Sequence, residues 1–280
     1  MSAKPHGSFC WADLVPVDQE RAIAFYAALA GWNAAVGGPE FGGYALAFGG
    51  GLDAGPAAMV AGINPSIATI EAFKASAGAP PSDPPLQSSW TVYLAADDLD
   101  AAVAAVEAGG GALLMPRMDI PGMGASALCA DPTGAAFGLW EGTGHHGFGV
   151  FGEHGGFCWA EVYSTDVATS RDFFTSTFGM TSTTLRESPD FTYYQLTAAG
   201  QDAPTFGVMQ MPASLGDAAS HFGAYLYVSG GDAAVDRVVA NGGSVDNPPF
   251  DSPFGRMASI TDSEGAAVNL VDLTTATGAM

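Results

Sequence analysis

The chain has 280 residues, 48% of them hydrophobic, with 38 Gly and 18 Pro, which suits about two domains built from short elements and many turns. Its 29 Asp and Glu against 8 Lys and Arg give a formal net charge of −21, a field that repels nucleic acid and anionic membranes. No run of about 18 apolar residues is present, so no membrane-spanning helix is expected, and Met-Ser-Ala-Lys-Pro-His-Gly lacks the pattern of a signal peptide.

Phe9 to Val15 alternates, with Phe9, Trp11 and Asp13 on one face and Cys10, Ala12 and Leu14 on the other, the period of a strand. Pro16 ends it and Asp18 can cap a helix. Ala22, Phe25, Tyr26 and Leu29 make one apolar stripe of that helix, which Gly31 stops. Strand-like segments follow at 43–48 and 57–63. Residues 64–88 are rich in Pro, Ser and Ala and predict a long connection, with one helical turn near 70–75. The Gly-Gly-Gly run at 49–51 sits in a turn context and is not a dinucleotide fingerprint.

A second unit has the same order. Trp90–Ala95 reads as a strand, Asp98 caps a helix over 99–108, and Gly109-Gly110-Gly111 stops it. Strands follow near 112–116, 125–130 and 136–141, with Asp131-Pro132-Thr133-Gly134 as the last turn. Residues 142–153 are Gly-rich and read as a domain linker, in which His145 and His146 are expected to be exposed and inert.

The remainder repeats the first half. His6-Gly-Ser-Phe-Cys-Trp-Ala-Asp-Leu14 returns as His154-Gly-Gly-Phe-Cys-Trp-Ala-Glu-Val162, and Asp18, Phe25 and Gly31 return as Asp166, Phe173 and Gly179. Asp262-Ser-Glu-Gly265 answers Asp131-Pro-Thr-Gly134. The connection at 212–220 is shorter than that at 64–88. Cys10 and Cys158 occupy matching places, so they read as packing symmetry rather than a disulfide. With an odd cysteine count, the chain is expected in a reducing cytoplasm. The expected fold is α+β, with four βαβββ units paired into two eight-stranded, cup-shaped domains at 1–142 and 154–280, joined by a linker at 143–153.

The strand, the Asp-capped helix with Phe-Tyr, the Gly-Trp pair and the closing Asp-Pro-Thr-Gly-Ala resemble the vicinal oxygen chelate superfamily. That group includes glyoxalases, bleomycin-resistance proteins and extradiol dioxygenases. The pattern looks closest to tandem glyoxalase-like members sometimes labelled hydroxylases. The resemblance spans roughly residues 8–141 and 156–272 and implies a ligand held in each cup. In metal-using members one ligand lies on the first strand, seven residues before the helix-capping Asp. That count gives Trp11 and Trp159 here, with Thr91 and Gly223 in the paired units. The last-strand ligand position falls on Gly138 and Asn269. Apart from Asn269, a weak ligand, none of these binds a first-row metal, so no metal and no other cofactor is expected.

Each candidate has a functional and a structural side. Trp11, Trp159 and Trp140 form either a stacking wall for a flat ligand or the filling of a vacated site. Gly138 leaves room beside them. Asp13 and Glu161 share the Trp face and act either as acid–base groups or as strand-binding carboxylates. Tyr93 and Tyr225 can hydrogen-bond those carboxylates or a ligand oxygen, or are half-buried strand tyrosines. His221 can reach the second cup's mouth, whereas His6 and His154 read as rim residues. Met123 and Met257 suit either an adaptable mouth or the core, and Arg256 can meet a ligand oxyanion. The expected function is binding of a small, partly apolar or aromatic metabolite with metal-independent, non-redox acid–base conversion. The alternatives are sequestration of the bleomycin-resistance type and a metal-dependent lyase or dioxygenase. The expected assembly is a monomer or homodimer with a small-molecule ligand and no nucleic-acid or membrane partner.

Overall fold

The structure, a computed structural model, describes residues 3–50, 52–188 and 191–278; Gly51 of the Gly-Gly-Gly run lies outside these. Four βαβββ modules follow one another. The first comprises β1 (Phe9–Val15), α1 (Gln19–Ala30), β2 (Trp32–Val36), β3 (Ala45–Gly49) and β4 (Met59–Ile63). A helix, α2 (Ile67–Ser76), leads to β5 (Ser89–Ala95), α3 (Leu99–Ala108), β6 (Ala112–Ile120), β7 (Gly124–Ala130) and β8 (Ala136–Gly142). The third module is β9 (Phe157–Ser164), α4 (Val167–Phe178), β10 (Thr181–Ser188), β11 (Phe191–Thr197) and β12 (Phe206–Gln210). The fourth is β13 (His221–Tyr227), α5 (Gly231–Ala240), β14 (Ser244–Ser252), β15 (Gly255–Thr261) and β16 (Ala267–Asp272).

The strands make two eight-stranded mixed sheets of identical topology, β2-β3-β4-β1-β5-β8-β7-β6 and β10-β11-β12-β9-β13-β16-β15-β14. In each module the first strand runs parallel to the last, with Asp13 opposite Gly62, Tyr93 opposite Gly138, Glu161 opposite Gly207 and Tyr225 opposite Asn269. The expected α+β architecture of paired βαβββ units is therefore present.

The helix ends are where the sequence places them. Asp18 accepts a hydrogen bond from the Arg21 amide at 3.1 Å, and Gly31 adopts φ 73°, which favours glycine. Asp98 and Asp166 cap α3 and α4 in the same way. Replacing Asp18 by Ala is expected to cost ~1 kcal/mol, read as a lower urea midpoint at unchanged slope. The turn aspartates also match. Asp131 Oδ1 accepts from the Thr133 and Ala135 amides, and Asp262 Oδ1 from the Glu264 and Ala266 amides, all at 2.8–2.9 Å.

Three expectations change. The single turn near 70–75 is a ten-residue helix, Ile67–Ser76, whose Ser66 side chain accepts from the Thr69 amide. Strand β6 runs through Pro116 to Ile120, because the ladder with β7 shifts register between Met115 and Met118 and so needs no amide from proline. His145 is buried, and so are Gly147 and Phe148, so the Gly-rich segment is packed rather than loose.

Packing divides the chain into two compact units that do not follow chain order. One holds the chain up to Trp11, Thr91–Gly147 and Trp159–Ala224. Its α3 and α4 pack together, and Phe137 meets Phe173, Phe174, Phe178 and Phe222 at ring distances of 5.5–6.4 Å. The other holds Ala12–Trp90, Phe148–Cys158 and the chain from Tyr225. There Tyr26 stacks on Trp32 and donates to Asp262 Oδ2 at 2.9 Å, and the Trp90 indole donates to Tyr26. No helix among the described residues is long and apolar enough to cross a membrane.

Candidate functional site

The alternation of β9 puts Trp159, Glu161 and Tyr163 on one face. The Trp159 indole N–H donates to the Tyr193 hydroxyl at 3.0 Å, and that hydroxyl is hydrogen-bonded to Glu161. Burial first, and then the charge of Glu161, push the Tyr193 phenol well above its ordinary range. The phenol therefore remains a donor at every working pH. Gly207, opposite Glu161, is what admits this arrangement. A Cβ there would collide with the Tyr193 hydroxyl and crowd Glu161. Tyr163 continues the row and stacks on His221, with centroids 5.1 Å apart and planes 8° from parallel. His221 Nδ1 lies 2.8 Å from the Ala219 carbonyl oxygen, which favours the tautomer with the proton on Nδ1. Glu161 is 5% exposed, Trp159, Tyr163 and Tyr193 are half-buried, and His221 is exposed. An indole face, a phenol and a carboxylate thus converge with a flat histidine–tyrosine rim. That set can stack a planar molecule and hydrogen-bond an oxygen on it.

The first copy repeats the motif with different surroundings. Tyr44 donates to Asp13 Oδ1 at 2.6 Å over Gly62, where a Cβ would meet both side chains. Tyr44 and Tyr193 were missed in the sequence, where Tyr93 and Tyr225 were the named partners. Their matched placing, 31 residues after Asp13 and 32 after Glu161, was the available signal.

The other candidates fall as follows. Tyr93 lies over Gly138 so closely that a Cβ there would enter its ring, so the room left by glycine is taken by tyrosine. Thr91, two residues before it, is half-buried on the same face of β5. Tyr225 is buried opposite Asn269, whose Oδ1 accepts from the Ser259 hydroxyl at 2.7 Å. Met257 Sδ accepts from Ser252 at 3.1 Å. Arg256 is held by Asp232 and Asp251 at 2.7 and 2.9 Å in a surface ion-pair cluster. Met123 acts through its backbone, its carbonyl accepting the amides of Thr143, Gly144 and His145 at 2.9–3.1 Å. His6 and His154 accept from the Asp97 and Ser229 amides in matching rim positions.

Trp11 is 3% exposed and makes a T-shaped contact with the His145 ring, centroids 4.4 Å apart. Trp140 is also buried; its indole donates to the His145 carbonyl at 2.7 Å. Trp140 also walls a cavity of about 190 Å³ shared with Lys4, Asp97, Glu141 and His146.

A metal of the kind used by glyoxalases and dioxygenases finds no fit in these residues. Trp, Thr, Gly and Asn stand at the counted ligand positions. Among the described residues no group of three or more His, Cys, Asp or Glu is placed to hold a metal ion.

Comparison with known proteins agrees with this architecture. The model of the glyoxalase/bleomycin resistance protein/dioxygenase superfamily matches residues 9–139 and 156–270. The anthracycline biosynthesis protein DnrV of Streptomyces peucetius is 33% identical over 270 residues, covering 95% of this chain and 94% of that protein. In fold, the chain is similar to the Mn(II)-bound glyoxalase from Novosphingobium aromaticivorans, with TM-score 0.62, 16% identity and coverage of 97% and 85%. The 2,3-dioxygenase LapB from Pseudomonas sp. KL28 gives TM-score 0.61, 14% identity and coverage of 97% and 93%.

Proposed function

This chain belongs to the glyoxalase/bleomycin resistance protein/dioxygenase superfamily, and from that premise we propose that it binds a planar aromatic metabolite on the Trp159 face. The observation that carries this reading is the half-buried Trp159 beside the Glu161–Tyr193 pair. The indole supplies a stacking face, and the pair supplies an acceptor and a donor for a ligand hydroxyl or carbonyl. DnrV is an anthracycline biosynthesis protein. The class carried over is a fused aromatic ring bearing oxygen, which suits a flat wall with a polar end. The net charge of −21 supports a neutral or cationic ligand and argues against nucleic acid as a partner.

Binding alone is the simpler function, since it needs only the wall and the polar pair. Turnover is a second reading, supported by the burial of the Glu161 carboxylate against a phenol and by its repetition at Asp13 and Tyr44. In that reading Glu161 accepts a proton from a bound hydroxyl or from carbon next to a carbonyl, and Tyr193 steadies the resulting oxyanion. Asp13 is the equivalent base of the first copy, while Tyr93 and Tyr225 supply further hydrogen bonds.

Titration with 2-naphthol, followed by tryptophan fluorescence, tests the binding. Trp159→Ala is expected to weaken it at least tenfold, worth about 1.4 kcal/mol, the scale of a lost aromatic stack. Unchanged affinity in that variant would remove Trp159 from the site. Recovering the natural ligand unchanged after incubation favours binding alone, whereas a product that disappears in Glu161→Gln favours turnover. Stoichiometric Mn, Fe, Ni or Zn in protein purified without a His-tag would replace both with metal-dependent chemistry.

A further inference from the structure

The two copies present their tryptophans differently, and residues 143–147 make the difference. These residues are fastened at several points. The Met123 carbonyl accepts three successive amides, and the Trp140 indole holds the His145 carbonyl. Gly144 passes so close to the Gly122 carbonyl that a Cβ would collide with it. Gly147, at φ 100°, approaches the Cys10 carbonyl in the same manner. The glycines that make the segment look like a loose linker are what let it lie flat.

The segment delivers one side chain. The His145 residue is 4% exposed, its ring T-shaped to Trp11 at 4.4 Å and 5.7 Å from Trp140. Neither of its ring nitrogens has a hydrogen-bond partner. A buried imidazole without partners forfeits its hydration and gains nothing in exchange at either nitrogen. A permanent core position is better served by Phe or Leu. An imidazole suits a seat that is sometimes vacated, because it recovers both hydrogen bonds on returning to water. In the second copy Trp159 is half-buried, and its indole N–H donates to the Tyr193 hydroxyl.

We infer that His145 is a built-in occupant of the first copy's tryptophan site, an autoinhibitory contact that closes Trp11 to ligand and leaves Trp159 as the open site. Packed against Trp11 and buried with it, the imidazole fills the space beside the indole that a planar ligand would need. This deepens the binding reading above and rests on Trp11 and Trp159 being equivalent seats.

Counting 2-naphthol sites by equilibrium dialysis tests it. The wild-type chain is expected to bind one equivalent and His145→Ala two. Adding Trp11→Ala to His145→Ala is expected to return the count to one. His145→Phe, which keeps a ring in the seat, should bind one. If His145→Ala does not fold, His145→Val is counted in its place, since it leaves a smaller void. Failure to gain a Trp11-dependent site overturns the inference, whatever happens at Trp159. Wild-type binding that survives Trp159→Ala overturns the binding reading instead. A wild-type chain that binds none, with a Trp11-dependent site appearing in His145→Ala, supports the inference and not that reading.

Discussion

Acidifying the protein from pH 8 to pH 4 is expected to remove about 3 kcal/mol from the free energy that seats His145, and none from the same segment in His145→Phe. Burial, with the nearby His146 charge second, pushes the His145 imidazole down to about 4. Released into water it titrates near 6.5. Because the seated value is the lower one, the stabilisation is complete above about 6.5 and is lost as pH falls toward about 4. The gap between those values corresponds to about 3 kcal/mol. Amide exchange of Thr143, Gly144 and His145 reads it directly, since all three donate to the Met123 carbonyl. Dividing wild-type rates by those of His145→Phe cancels the intrinsic pH dependence of exchange and the protonation of the chain's many carboxylates. The ratio should rise about a hundredfold across the interval. A flat ratio would mean that the imidazole is not buried as a neutral ring.

Tyr193→Phe is expected to destabilise the chain by about 2–3 kcal/mol and to weaken 2-naphthol binding in parallel. The hydroxyl serves two neighbours at once, accepting from the Trp159 indole and bonding to Glu161. Removing a hydrogen bond to a buried charged group costs about 1.5–3 kcal/mol. The Trp159 N–H adds less, since that residue is half-buried and water can replace the lost acceptor. Urea melts of Tyr193→Phe, Glu161→Gln and the double variant form a cycle. The double variant should lose at least about 1 kcal/mol less than the sum of the singles, because the two share one interaction. Strict additivity would show that the pair is adjacent without being coupled.

These side chains also mark the limit of what the sequence discloses. Local rules were enough for the helix caps at Asp18, Asp98 and Asp166, the αL stop at Gly31 and the paired Asp turns. Each depends on residues within a few positions of one another. The repeat offset carried the four modules, and strand alternation placed Trp159 and Glu161 on one face. The tyrosine partners were not legible, because Tyr193 reaches Glu161 across β12, and only the ladder shows that Gly207 leaves the gap it crosses. Pro116 looked like a strand end, yet β6 carries it, as β14 carries Pro248-Pro249, at register shifts on the outer strands of their sheets. His145 was misplaced for a related reason. Glycine signals a turn in sequence, but at Gly144 and Gly147 it signals close approach of backbone to backbone.

The three thiols give the molecule a chemical clock. Cys10, Cys129 and Cys158 are buried, and the Cys10 and Cys158 thiols lie 3.4 and 3.5 Å from the Tyr93 and Tyr225 carbonyl oxygens, at the two strand seams where each sheet's modules join. Burial pushes Cys129 up to about 11 and Cys158 up to about 12, so the folded protein presents almost no thiolate there near neutrality. Alkylation by iodoacetamide is then expected to proceed only through molecules in which the strands around each thiol have parted, so that its rate measures how often each sheet opens. Cys158 times the second sheet, and Cys10 with Cys129 times the first, without any label being engineered into the chain.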